Sequence, residues 1–257
     1  GSELASCIGD VRSVLLESKQ SGIPVVSEFG QAYWLDKRHG FTPNVTASHT
    51  TSAELFHSGG IPLQKTREIG CCKAYDTKVG THHFLTQIDH ETDPLGKKLA
   101  KLEFGTSTGR QRMVGWFDAV EKGNALRYGG FDELVINKLD ALTLDDGLDC
   151  QLKICTAYQL PDGSLTTNVP RIEEIRKTLT PVYETLDGWE EDISAITSYD
   201  KLPLNAKAYV SRMVGSLLEV AYPDGYSGIS LPQIRFVGVG PDPGQIISDI
   251  PSTQKLV

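Results

Sequence analysis

No Gly-x-x-x-x-Gly-Lys-Ser/Thr run occurs anywhere in this chain, so it carries no loop of the kind that wraps nucleotide phosphates. Long apolar runs are missing too. None approaches the roughly 20 residues of a membrane span, and no secretory apolar segment opens the chain. A membrane partner is therefore not expected. Positive charge is in deficit, with 25 Lys and Arg against 33 Asp and Glu and a net charge of −8. That balance argues against a nucleic-acid partner, which needs a concentrated basic surface. Cysteine is scarce and odd in number, at five, with no metal-ligand spacing. Buried free thiols in a reducing cytoplasm are the expectation. His82 and His83 are adjacent, and in an extended segment they point to opposite faces, so they do not chelate one ion easily. Internal repeats, low-complexity tracts and obvious linkers are also lacking, so residues 1–257 are expected to form a single domain.

What is present reads as an α/β protein. The chain's 257 residues can bury a substantial core, and its 39% hydrophobic and 23% charged content is ordinary for a globular protein. Leu4, Cys7, Ile8, Val11, Val14 and Leu15 recur at helical spacing, and Gly22 stops that helix. Residues 24–29 then read as a buried strand. Such a succession predicts a mostly parallel central sheet flanked by helices. Further strands are predicted at 133–137, 151–158 and 234–239. A helix is predicted at 204–219, with Val210, Met213, Val214, Leu217 and Leu218 on one stripe. Residues 222–232, rich in Gly, Pro and Ser, read as a surface excursion.

Three segments have the chemistry of a binding site. Asn137-Lys138-Leu139-Asp140 follows the apolar run Leu134-Val135-Ile136 and resembles the guanine-reading Asn-Lys-x-Asp element of GTP-binding proteins. An aspartate carboxylate can accept two parallel hydrogen bonds from the N1–H and N2–H2 edge of guanine, and adenine lacks that pair of donors. The lysine stem can lie along the base while its ammonium stays wet. Residues 104–112, Phe-Gly-Thr-Ser-Thr-Gly-Arg-Gln-Arg, combine two glycines, three hydroxyls and two arginines ahead of a helix expected at 116–120. That suits a carboxylate or phosphate ligand. Glu28-Phe29-Gly30-Gln31, with Asp36, His39 and Thr46 beyond, would lie past the carboxyl end of the first strand, where α/β sheets bind ligands. There His39 is a candidate acid or base by residue type.

Taken in order, these pieces resemble the adenylosuccinate synthetase family. The resemblance runs through Ser27-Glu28-Phe29-Gly30-Gln31, Pro43-Asn44-Val45-Thr46, and Lys73-Ala74-Tyr75-Asp76-Thr77-Lys78-Val79-Gly80. It continues through Glu103 to Arg112, Gly115-Trp116-Phe117-Asp118, Asn137-Lys138-Leu139-Asp140, Pro181-Val182-Tyr183-Glu184 and Val239-Gly240-Pro241-Asp242. It implies a P-loop-NTPase-like α/β fold and a GTP-dependent ligase joining L-aspartate to IMP in AMP biosynthesis, with Mg2+. By the same resemblance Gln31, Thr46 and Arg110 look like IMP contacts. Thr106, Ser107, Thr108, Gly109, Arg110 and Arg112 look like the loop that takes the aspartate carboxylates. Arg112, Lys138, Leu139, Asp140, Gly238, Val239 and Gly240 look like the GTP side.

The departures shape the remaining expectations. The family's Gly-Asp-Glu-Gly-Lys-Gly and Gly-His-Thr runs, which bring the catalytic Asp and His, a Mg2+ ligand and most phosphate contacts, do not occur in this chain. The resemblance therefore covers the C-terminal part of such an enzyme, and no catalytic residue is assigned. The chain alone is expected not to turn over, with a purine-nucleotide-binding or regulatory module as the alternative. Ala32 stands where the family has glycine, and Gln87 where it has a carboxylate. A sheet lacking that first part would expose a parallel edge, so a homodimer or a complementing N-terminal chain is expected.

Overall fold

The computed structural model describes residues 2–80, 82–105, 109–145 and 151–257. The chain divides into two units, Gly1–Thr66 and Arg67–Val257.

In the first unit, loops are gathered around one carboxylate. Asp36 is fully buried and follows a 3-10 turn at Tyr33–Leu35. It accepts the backbone N–H groups of Arg38 (2.8 Å), His39 (2.9 Å) and Thr50 (2.8 Å), and His49 Nδ1 lies 3.1 Å away. Burial by itself would raise this carboxyl, but the donors from His39, Thr50, Arg38 and His49 override it and hold it at about 2. At Gly40 a Cβ would stand 2.2 Å from the Trp34 carbonyl oxygen and 2.5 Å from that of Asp36. Only glycine lets the chain turn back here, which allows the Trp34 and Phe41 rings to stack at 5.1 Å.

Two expectations fail in this unit. The apolar stripe predicts one helix, yet the segment forms a 3-10 turn at Ser2–Cys7 and a separate helix, α1, at Val11–Gln20. The break is at Asp10, whose side chain accepts Ser13 N (3.2 Å) and caps the new helix with a non-helical backbone. Leu4, Ile8, Val11 and Val14 lie exposed. Residues 24–29 form no strand and are largely exposed, Val26 at 94%. Their composition suits a strand, but no ladder partner lies beside them among the described residues, and a strand exists only by pairing. A short helix, α2, spans Ala53–Gly59.

The second unit carries the sheets. It begins with β1 (Ile69–Lys73), β2 (Asp76–Lys78), α3 (Pro94–Leu102), β3 (Met113–Gly115), β4 (Phe117–Asp118), α4 (Ala119–Gly129) and β5 (Glu133–Asn137). It continues with β6 (Gln151–Gln159), β7 (Leu165–Thr166), α5 (Glu173–Arg176), β8 (Thr180–Asp187), α6 (Leu204–Ala221), β9 (Gln233–Gly238), β10 (Ile246–Ile247) and α7 (Thr253–Leu256). Strands β1, β5 and β9 pair in parallel and β10 closes that sheet antiparallel, in the order β1-β5-β9-β10. A second sheet centres on β6, parallel to β4 but antiparallel to β7 and β8. The strands predicted at 133–137, 151–158 and 234–239 and the helix at 204–219 are all present to within two residues. The α6 stripe of Val210, Met213, Val214, Leu217 and Leu218 is buried as its spacing predicts.

Three details depart from the sequence expectations. Residues 116–118 are not helical: Asp118 accepts Glu121 N (3.0 Å), which fixes the start of α4 at Ala119. The Gly/Thr/Arg segment therefore leads into β3, not into a helix. Among the cysteines, Cys155 is buried and Cys72 half-buried, but Cys7 and Cys71 are exposed, and Cys150 lies outside the described residues. The excursion at 222–232 is exposed for most of its length, yet Tyr222 and Tyr226 lean on the core and Leu231 is buried.

Helices α4 and α6 cross closely at Gly123, where a Cβ would sit 2.5 Å from Val220 Cβ and 2.8 Å from the Leu217 carbonyl oxygen. Gly123→Ala is expected to lower stability by about 1–3 kcal/mol through overpacking, measured as an earlier urea midpoint in fluorescence of the second unit's Trp116 and Trp189. A pH effect follows for the first unit. Because the folded Asp36 carboxyl sits below its ordinary value of 3.8, its contribution is full above that pH and is lost as pH falls through about 2. The indole NMR signal of Trp34 should move to its denatured position across that window, and in Asp36→Asn it should already be displaced at neutral pH.

Candidate functional site

The carboxyl ends of three parallel strands meet in the second unit. Lys73 ends β1, Asn137 ends β5 and Gly238 ends β9, with Lys73 in register with Asn137. Ligands bind at such strand ends in α/β sheets because the loops leaving them are free to diverge. Ala74 N donates to the Asn137 carbonyl (2.8 Å), and the buried Tyr209 hydroxyl donates to the Ala74 carbonyl (2.7 Å), so the two strand ends are tied together.

Beyond Asn137 the chain turns sharply. Lys138 has φ of +61°, the only non-glycine residue with positive φ among those described. That conformation costs an L-residue roughly 1–2 kcal/mol and persists only where neighbours impose it. The backbone does so here, since Leu139 N donates to the Gly238 carbonyl (3.0 Å), and at the far end of the side chain Lys138 Nζ is bound by Glu103 (2.7 Å). At Gly238 a Cβ would lie 2.8 Å from Asn137 Oδ1 and 3.4 Å from Asn137 Cα, so a side chain there would have to displace the Asn137 amide. Leu139 and Val239 are fully buried, and Val239 N donates to the Gln245 carbonyl (2.9 Å). The turn after β5 is thus tied to the end of β9 by a backbone hydrogen bond.

Glu103 is the electrostatic centre of this end of the sheet and is 1% exposed. Its Oε1 accepts Tyr75 OH (2.6 Å) and Lys138 Nζ (2.7 Å), and its Oε2 accepts Lys73 Nζ (2.8 Å) and Arg112 NH1 (3.2 Å). Burial would raise this carboxyl, but the bonds from Lys138, Lys73 and Tyr75 win and hold it at about 2. The same burial lowers the Lys73 ammonium, with Glu103 opposing. Burial, reinforced by the Glu103 charge, pushes the Tyr75 phenol upward, so it stays a donor.

Asp140 is in the opposite condition. Its Oδ1 is buried and has no hydrogen-bond partner among the described residues, and burial pushes its carboxyl above the ordinary value although its own N–H, Lys138 and the Ala141 N–H oppose the shift. A buried acceptor without a donor is costly and is rare in native structures. Among the described residues one other carboxylate oxygen, Glu173 Oε2 on α5, is in the same state, and of the two only Asp140 lies at these strand ends.

The sequence-predicted residues are distributed as follows. Arg112, Lys138, Leu139, Asp140, Gly238, Val239 and Gly240 gather at the strand ends. Gly109, with φ of +61°, and Arg110 lie on the same arm, closed by Gly109 N to the Gly105 carbonyl (2.7 Å) and Gly105 N to the Arg110 carbonyl (2.8 Å). Thr106, Ser107 and Thr108 lie outside the described residues. Gln31 and Thr46 belong to the first unit, Gln31 exposed and Thr46 half-buried with its N–H on the Leu35 carbonyl (2.8 Å). His39 is exposed, its N–H held by Asp36. Sequence reasoning assigned no role to Glu103, Lys73 or Tyr75. The only signal was that all three stand in runs shared with one family.

With this geometry in place, comparison with known proteins is direct. The sequence matches the adenylosuccinate synthetase family profile over residues 1–246. The adenylosuccinate synthetase of Bacillus cereus is 37% identical over 248 residues, covering 95% of this chain and 53% of that protein. That of Shewanella amazonensis is 40% identical over 212 residues, covering 82% of this chain and 48% of the relative. The fully ligated adenylosuccinate synthetase of Plasmodium falciparum superposes with a TM-score of 0.82 at 31% identity, over 95% of this chain and 55% of that one. The chain thus spans about half the length of the relatives it matches, and over that span it belongs to the adenylosuccinate synthetase family.

Proposed function

We propose that this chain supplies the guanine-reading and carboxylate-binding part of a GTP-dependent ligation of IMP with L-aspartate. The observation that carries this reading is the unsatisfied Oδ1 of Asp140 beside the constrained Lys138. Guanine presents N1–H and N2–H2 side by side, and a carboxylate accepts both. The Lys138 stem lies along the base, and the buried backbone of Leu139 and Val239 forms the wall beside it. On the adjoining arm, Gly109, Arg110 and Arg112, together with Thr106, Ser107 and Thr108, are assigned to the carboxylates of aspartate. Gln31, Thr46 and Arg110 are assigned to IMP. Amide, hydroxyl and guanidinium groups position a nucleotide, and none of them activates a nucleophile.

Mg2+ belongs to the family's chemistry, but no group of three or more His, Cys, Asp or Glu side chains that could hold it occurs among the described residues. None of the roles above involves it. Among the described residues no helix is long and apolar enough to cross a membrane. Among the described residues β1 ends its sheet with Ile69 exposed, and we assign that parallel edge to a further protein surface, such as another copy of this chain.

Titration calorimetry with GDP, XDP and ADP tests the base-reader. The unsubstituted chain should bind GDP in preference to the other two. Asp140→Asn should weaken GDP by about tenfold or more and favour XDP, because the new amide donates where xanthine has a carbonyl. An unchanged base preference in that variant would show that Asp140 does not read the base.

A further inference from the structure

We propose that Glu103 is a positioning residue that sets the base-reading lysine and the arginine arm in one fixed arrangement. This rests on the reading of Lys138–Asp140 as a guanine site and adds a residue to which nothing above assigns a role in binding.

The carboxylate is anchored from below. Tyr75 OH holds Oε1 and Lys73 Nζ holds Oε2, and Lys73 is itself fixed by Thr77 Oγ1 (2.9 Å). Lys73 ends β1 and Tyr75 stands in the short connection to β2, so the plane of the carboxylate is set by the sheet. Its other two positions go to side chains about one-third exposed. Lys138 shares Oε1 and Arg112 shares Oε2. The main chain of the same residue closes the arm, because its carbonyl accepts Arg112 N (3.1 Å) and Gln111 Nε2 (2.9 Å). One residue therefore fixes the ammonium of the base-reader, the guanidinium of Arg112 and the spacing between them.

Charge neutralisation alone does not explain this arrangement. Three cations surround one carboxylate, a local surplus of positive charge even with Asp140 beside Lys138, and Lys138 and Arg112 carry it on the site side. Such a surplus is useful for holding anionic ligand groups and unhelpful for stability. The backbone of Lys138 is held separately, by the bond from Leu139 N to the Gly238 carbonyl, and the Glu103 bond ties the ammonium end of an otherwise flexible stem.

The test is a double-mutant cycle on GDP affinity by calorimetry, with Glu103→Gln, Lys138→Met and the pair. Loss of a charged hydrogen bond predicts about tenfold weaker GDP binding for each single variant. If Glu103 acts through Lys138, the pair should be no more than about twofold weaker than the weaker single variant. Full additivity would overturn the proposal, since a residue that only supports the fold costs the same in either background. Urea midpoints report folding. Should Glu103→Gln not fold, Glu103→Asp replaces it in the cycle, keeping the charge but withdrawing both oxygens, with the same non-additivity expected. If the unsubstituted chain binds no GDP, the guanine reading and this inference fall together. If it binds GDP and Asp140→Asn switches it to XDP while Glu103→Gln and Glu103→Asp bind GDP normally, only the role of Glu103 is refuted.

Discussion

One buried carboxylate organises the carboxyl ends of the parallel strands in the second unit. Glu103 is taken out of water, and an ionised group in that position is tolerated only when hydrogen bonds replace its hydration. Four donors do so, and they come from positions 28 to 35 residues before or after it and from the arm beside it. Satisfying Glu103 therefore dictates that the end of β1, the turn after β5 and the start of the arginine arm meet at one point. The parallel register of β1, β5 and β9 brings the strand ends level. The carboxylate then determines which side chains lie there.

The first unit uses the same physics on a backbone scale. Asp36 draws three N–H groups and an imidazole to itself, and Gly40 supplies the close return that a side chain would block. In both units, a loop segment with little regular structure is given one conformation by a buried anion at its centre. Both carboxyls sit near 2 as a result, well below the ordinary range. At neutral pH both stay charged, and the loops built on them remain organised.

The regular core was largely legible in the sequence, and the reasons are local. Strand β5 is a short apolar run, β6 alternates, and α6 carries an unbroken stripe of apolar residues at helical spacing. Residues 24–29 were misread because β-propensity shows a capacity for pairing, not the presence of a partner. Residues 116–118 were misread because a capping aspartate at 118 outweighs the apolar run in front of it. The candidate site divides in the same way. Lys138 and Asp140 could be found because the chemistry of base reading falls within four consecutive residues. Glu103 could not, because its partners are distant in sequence and nothing local marks a glutamate as buried.

The contrast between the two carboxylates at the strand ends is the strongest guide to what this end of the sheet does. Glu103 and Asp140 flank the same lysine, in the same protein interior, and are treated in opposite ways. Glu103 has every acceptor position filled by the chain itself, and its acidity is enhanced. Asp140 has a buried oxygen left unfilled, and its acidity is reduced. A fold selected for stability alone would have satisfied both or removed one, since an unpaired buried acceptor costs about 1–3 kcal/mol. Saturation of the first makes it a fixed part of the framework. The open acceptor of the second, beside that framework, is the local cost that the proposed base-reading role would explain.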